Sequence, residues 1–133
     1  MESRKVVVTG LGVVSPLGCD LARFWQRIKN GESGIGPITK FDASGMDTRI
    51  AGEVKEFNLD AFVDRKEQRR MDPYAHYAMA AAKLAMADSG LDSSREDPTR
   101  AGVIVGSGVG GLWTLQTQHK QLLDKGPSRV SPF

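Results

Sequence analysis

Apolar residues recur along this chain with two different periods. Val6-Val7-Val8, followed by Thr9, is an unbroken β-branched run, and Gly102-Val103-Ile104-Val105-Gly106 is a second. Short continuous apolar runs of this kind predict strands buried on both faces of a parallel or mixed sheet. Between them the period becomes helical. Leu21, Phe24, Trp25 and Ile28 fall on one face of a helix predicted over 20–30, with Asp20 as N-cap and Gly31 as stop. Pro73 to Ser89 has few polar positions, and His76 and Lys83 share one narrow stripe of it. A helix apolar around most of its surface is expected to be buried by a larger protein. Its alanines permit close backbone approach. Asp72-Pro73 places an acidic N-cap before a proline at the first helical position, and Gly90-Leu91 fits the C-terminal stop. A last helix over 112–124 is broken by Gly126-Pro127.

The segments between are less regular. Residues 32–47 are rich in Gly, Ser, Asp and Pro and read as an ordered loop. Residues 49–54 suit a short strand, Asn58 suits the cap of a short helix through Val63, and 92–100 read as a polar loop. The resulting order, β-α-(β)-α-α-β-α, is an α/β arrangement. Three strands are few for so many apolar helices, and unpaired strand edges would be left over. Ser131-Pro132-Phe133 reads as a new element beginning. The pattern therefore predicts a longer natural protein, and an isolated chain of marginal stability.

Composition narrows the function classes. At 133 residues, 40% hydrophobic and 26% charged, this is an ordinary globular sequence of single-domain size. A net charge of +2 is too small to imply a nucleic-acid partner. Cys19 is the one cysteine, so no internal disulfide forms, and a reducing, cytoplasmic compartment fits. Met1-Glu2-Ser3-Arg4-Lys5 leads straight into the first apolar run, without a signal peptide. The Ala78–Ala87 stretch, broken by Lys83, is too short to span a membrane.

Candidate chemistry is sparse. Cys19 lies just before a helix, where a thiol pKa is lowered. The two histidines, His76 and His119, fall on other predicted helices, and a lone cysteine without a partnered histidine is a poor nucleophile signal. No Cys/His/acid spacing suits a metal. Gly106-Ser107-Gly108-Val109-Gly110-Gly111 matches the dinucleotide fingerprint G-x-G-x-x-G between strand and helix. That reading needs an acidic residue about 20 positions on, at the end of a second strand, and Asp124 comes too early. Gly10-Leu11-Gly12 has Ser15 where the third glycine belongs. In the basic cluster Arg65, Lys66, Arg69 and Arg70, residues 66 and 70 share a face if the segment is helical, as do 65 and 69. From composition alone it reads as a solvated charged helix end.

Three stretches, in order, resemble the β-ketoacyl-acyl-carrier-protein synthase family. They are Val6-Val7-Val8-Thr9-Gly10-Leu11-Gly12-Val13-Val14-Ser15-Pro16-Leu17-Gly18, Arg65-Lys66-Glu67-Gln68-Arg69-Arg70-Met71-Asp72 and Gly106-Ser107-Gly108-Val109-Gly110-Gly111-Leu112. Lesser matches lie at Gly31-Glu32-Ser33-Gly34-Ile35, Phe41-Asp42 and Asp88-Ser89-Gly90-Leu91. The second stretch resembles the synthase II branch more than the synthase I branch. The resemblance implies that residues 1–133 are the N-terminal portion of a thiolase-like ketosynthase, with a layered α-β-α-β-α fold, a mixed sheet and buried helices. It implies a homodimer that elongates fatty acyl chains by decarboxylative Claisen condensation.

The family's cysteine nucleophile, two histidines and lysine are expected downstream, so no catalytic residue is assigned in this chain, and the chain alone is expected to be inactive. The chemistry calls for no metal or redox cofactor. The family's partner is an acidic, phosphopantetheine-bearing acyl carrier protein. The resemblance assigns its docking to Arg65, Lys66, Arg69 and Arg70, with Arg129 a weaker member. It places Gly108 and Val109 at the acyl pocket, where the bulk of Val109 would limit chain length. A type II polyketide ketosynthase and a non-catalytic, truncated subunit that keeps only carrier docking remain as alternatives.

Overall fold

The structure, a computed structural model, describes residues 5–132. Met1 to Arg4, read above as a tail without a signal peptide, and Phe133, read as part of a new element, lie outside them. The elements run α1 (Leu21–Lys29), β1 (Ile35–Pro37), β2 (Ile50–Gly52), a 3-10 turn (Leu59–Ala61), α2 (Arg65–Gln68), α3 (Pro73–Ser89), a 3-10 turn (Pro98–Arg100), α4 (Leu112–Lys125) and a 3-10 turn (Pro127–Arg129). The chain divides into two units.

The first unit joins the chain through Asn58 to Ala81–Leu91, the C-terminal part of α3. Asp20 caps α1 as expected, its Oδ1 accepting from Arg23 N–H at 2.7 Å. Gly31, at φ +70°, ends the helix, donating to the Ile28 carbonyl while Glu32 donates to that of Arg27. This paired arrangement satisfies carbonyls that a helix end otherwise leaves open. β1 and β2 form an antiparallel pair in the register Ile35↔Gly52, Gly36↔Ala51 and Pro37↔Ile50. Glu53, just after β2, is buried. Its carboxylate accepts the Thr39 N–H at 3.0 Å, the Thr39 hydroxyl at 2.6 Å and the Lys40 N–H at 3.1 Å. These bonds, led by the Thr39 hydroxyl and then the Thr39 N–H, hold its pKa below the ordinary glutamate value against the opposing effect of burial. Gly10 and Gly12 run against α3 so closely that a Cβ on Gly12 would meet the Ala81 carbonyl oxygen and stand 2.7 Å from Ala85 N. Leu11 N–H donates to Asp88 Oδ2 at 2.8 Å.

The second unit joins Leu59–Ala80 to the chain from Asp92 onward. Gly111, at φ +74°, occupies the N-cap position of α4, and Gly126, at φ +80°, its C-cap. Glycine takes both conformations without strain. A glycine N-cap has no side chain to meet the helix's third N–H, which belongs to Thr114. Asp72, at the start of α3, supplies the acceptor instead.

Two expectations are corrected. Residues 6–9 and 102–106 form no strand; Val6 is 92% and Ile104 98% exposed. A strand exists only through ladder bonds to a neighbour, and no described residue supplies one to either run. Among the described residues the one sheet is the antiparallel pair of β1 and β2. The segment 32–47 holds β1 as well as loop. α3 buries Ala80, while Tyr74, Met79 and Met86 are exposed within this chain. Ala43 and Val63 are the other buried apolar residues among those described.

Candidate functional site

Both groups of residues singled out by the sequence lie in the second unit. The basic segment is helical for one turn only. α2 ends at Gln68, Arg69 is its C-cap and Arg70 continues as a turn, donating to the Glu67 carbonyl at 2.9 Å. The helical face-sharing expected of Lys66 with Arg70 and of Arg65 with Arg69 is therefore not realised over the whole segment.

The four cations also differ electrically. Arg65 Nη2 lies 3.0 Å from Asp60 Oδ2, and Gln68 Nε2 lies 2.8 Å from Asp60 Oδ1. The Gln68 and Arg65 hydrogen bonds and the Arg65 charge hold the Asp60 carboxyl below its usual range, and the same pairing raises Arg65. Arg70 Nη1 is 3.4 Å from Glu67 Oε1. Lys66 and Arg69 are exposed, and their side chains form no hydrogen bond or ion pair with described residues, so their charges face solvent. Arg129, in the last 3-10 turn, is exposed beside Lys125, a cation that motif reading missed.

Arg69 and Arg70 border an open cleft of about 280 Å³. His76, Trp113, Thr117 and Gln118 complete much of its wall. His76 Nε2 is 3.0 Å from the Gln68 carbonyl oxygen, so it ties α3 to the end of α2. Trp113, 65% exposed, was not singled out by the sequence because its neighbours Leu112 and Leu115 read as a plain apolar face.

The glycine-rich turn bends at Gly108 and Val109. The Val109 side chain is 68% exposed. A Cβ on Gly108 would meet nothing within 4 Å, whereas one on Gly110 would stand 3.1 Å from the Tyr74 ring. With no strand over 102–106, and Asp124 within α4, the dinucleotide-site geometry is absent among the described residues. Cys19 is a free, half-buried thiol beside the Asp20 cap, and His119 is exposed on α4. No group of three or more His, Cys, Asp or Glu side chains that could hold a metal occurs among the described residues.

Comparison with known proteins gives the arrangement a context. Residues 3–133 match the family model described as Beta-ketoacyl synthase, N-terminal domain. The whole chain is 48% identical over 133 residues to the 3-oxoacyl-(acyl-carrier-protein) synthase 2 of Synechocystis sp., covering 32% of that protein. It is 45% identical over 132 residues to the synthase 2 of Staphylococcus aureus strain COL, covering 99% of this chain and 32% of that one. The chain thus spans about a third of the length of the curated relatives it matches.

Among solved structures, a β-ketoacyl synthase from Burkholderia phymatum superposes with TM-score 0.74 at 27% identity, over 95% of this chain and 31% of that one. A type II polyketide ketosynthase, solved in complex with its acyl-carrier protein and bound to the hexaketide, superposes with TM-score 0.76 at 25% identity, over 95% of this chain and 34% of that one. The fold is therefore that of the N-terminal part of the thiolase-like ketosynthases.

Proposed function

This chain belongs to the β-ketoacyl synthase family, as its N-terminal domain over residues 3–133, and from that premise we propose that it is part of a 3-oxoacyl-acyl-carrier-protein synthase of the synthase II kind. The observation that carries the reading is the 48% identity to a synthase 2 across the full chain. The reaction is decarboxylative Claisen condensation. A cysteine thiolate takes the acyl group from a carrier thioester. The malonyl thioester loses carbon dioxide, and its carbanion attacks the acyl-enzyme, with histidines and backbone N–H groups stabilising the oxyanions. The nucleophile and its partners belong to the remainder of the protein.

The share of the work given to these residues is docking and acyl selection. Lys66 and Arg69, with charges not already paired within the protein, are the main docking cations for the acidic carrier protein. Arg65 and Arg70 are weaker because Asp60 and Glu67 stand against them. Arg129 and Lys125 extend the positive surface. Gly108 and Val109 contribute to the acyl pocket. A homodimer in the cytoplasm is part of the same proposal and rests on the family resemblance; no described helix is long and apolar enough to cross a membrane.

The test is an assay of the full-length protein with acyl- and malonyl-carrier protein. Release of carbon dioxide with formation of the chain-extended 3-oxoacyl product supports the reading. A second reading, a polyketide ketosynthase, is favoured by the 0.76 TM-score to one. Repeated extension without intervening reduction of the keto group would decide for it.

A further inference from the structure

Two residues at the opening of α3 hold the end of the glycine-rich turn and the first turn of α4 that follows it. Asp72 Oδ2 accepts from Thr114 N at 2.8 Å and from Thr114 Oγ1 at 2.9 Å, fixing the first turn of α4. Tyr74 brings its ring close to Gly110, where an added Cβ would stand 3.1 Å from Cζ and 3.2 Å from Cε1. Val109 immediately precedes the first of these two anchored positions, Gly110, and makes the bend with Gly108. A Cβ added at Gly106 or Gly108 would meet open space within 4 Å. A glycine-rich segment loses more conformational entropy on ordering than any other, so its position is set by what grips it.

We propose that Asp72 and Tyr74 are positioning residues that set where Val109 stands and thereby select acyl chain length. The inference rests on the reading that Val109 contributes to the acyl pocket. It adds that selection depends on α3, one turn of chain beyond Arg70, and not on the bulk of residue 109 alone. The Tyr74 atoms nearest that position are the ring carbons Cζ, Cε1 and Cε2. A displacement of the turn by the width of a methylene alters discrimination by roughly tenfold or more.

The experiment measures kcat/KM of the full-length synthase across a series of acyl-carrier substrates, and reads the short-to-long ratio. The variants are Tyr74→Ala, Tyr74→Phe, Thr114→Val and Gly110→Ala, with Val109→Phe as control. The expected result is a ratio changed about tenfold by Tyr74→Ala, kept by Tyr74→Phe and changed by Gly110→Ala. The ratio should move back toward wild type in the Gly110→Ala/Tyr74→Ala double variant, where the added methyl has room. Thr114→Val, which keeps the N–H bond and loses only the hydroxyl, tests the Asp72 anchor without threatening the fold. If Val109→Phe shifts the ratio but Tyr74→Ala and Thr114→Val lower every chain length equally, the positioning role is overturned and the pocket reading stands. If Val109→Phe leaves the ratio unchanged, the pocket reading falls and takes the inference with it.

Discussion

Asp72 and Thr114, 42 positions apart in sequence, are joined by two hydrogen bonds to one carboxylate oxygen, from the Thr114 amide at 2.8 Å and its hydroxyl at 2.9 Å. The bond to the amide is the one an N-cap side chain would make, and Gly111 in the N-cap position has none to offer. Asp72→Ala should therefore lower stability by about 1–2 kcal/mol, as removal of a helix cap does. Thr114→Val should cost about half of that or less, since one of the two bonds survives. Denaturant midpoints of the full-length protein measure both. Equal losses would mean that the hydroxyl, not the amide, carries the interaction.

That contact explains a limit of reading the sequence. Asp72 before Pro73 was legible as the acid that opens α3, and α3 does run from Pro73 to Ser89. Its backbone carbonyl does accept the first bonds, from Ala75 and His76. Where its side chain points depends on the approach of α4, which no local pattern encodes. α1 was legible because Asp20 and Gly31 act within one turn of the helix. The runs at 6–9 and 102–106 were misread as formed strands because β-branched composition reports suitability for a ladder, not the presence of a partner. β1 was missed because three residues including Gly36 and Pro37 carry no strand signature. The charges alone suggest a pairing of Arg65 with Asp60; that it separates Arg65 from Lys66 and Arg69 depends on how the 3-10 turn at Leu59–Ala61 brings Asp60 to Arg65.

The unequal cations predict unequal docking. Lys66→Glu and Arg69→Glu should each slow association with the carrier protein by about tenfold at low salt, with the effect shrinking as the ionic strength rises. Arg65→Ala should have a smaller effect. Asp60→Asn should speed association modestly by releasing Arg65, again only at low salt. Stopped-flow binding at two salt concentrations reads all four. An Arg65→Ala effect as large as that of Arg69→Glu would contradict the assignment of its charge to Asp60.

Glu53 predicts an acid-sensitive loop. Its folded pKa lies below the ordinary value of 4.5, chiefly through the Thr39 hydroxyl and amide. A carboxyl whose pKa is depressed by folding contributes stability that is complete above its unfolded value and is lost as the pH falls through the lower, folded value. Protection of the Thr39 and Lys40 amides from hydrogen exchange should therefore persist through pH 4.5 and fail below it. Glu53→Gln should weaken protection at neutral pH and flatten its acid dependence. Loss of protection beginning well above 4.5 would mean that another group holds the loop.

Gly12 predicts the steepest local loss. A methyl there would land on the Ala81 carbonyl oxygen and stand 2.7 Å from Ala85 N, both backbone atoms of α3 that cannot swing aside. Gly12→Ala should cost about 3 kcal/mol, the upper part of the range for overpacking. Gly31→Ala meets open space, and its cost should come from its φ of +70° alone, about 1 kcal/mol. The two variants separate crowding from backbone strain. Comparable losses would show that the Gly12 backbone withdraws from α3 to admit the methyl.

The apolar runs predict the behaviour of the isolated 133 residues. Full burial of a valine or isoleucine stabilises a fold by about 1.5–3 kcal/mol. Val6, Val7, Val8, Val103 and Ile104 are each at least three-quarters exposed and contribute little of this here. The few buried apolar residues, Ala43, Val63 and Ala80, are mostly small. The entropy of ordering a residue, about 1–2 kcal/mol, therefore goes largely unopposed along both runs. The isolated chain should bind a hydrophobic dye and melt over a broad range without a heat-absorption peak. In the full-length synthase the amides of 6–8 and 103–105 should be among the slowest to exchange, because there they gain ladder partners. Fast exchange at those amides in the whole protein would show that their valines and isoleucines never enter a sheet, and the physical reading of both runs would be wrong.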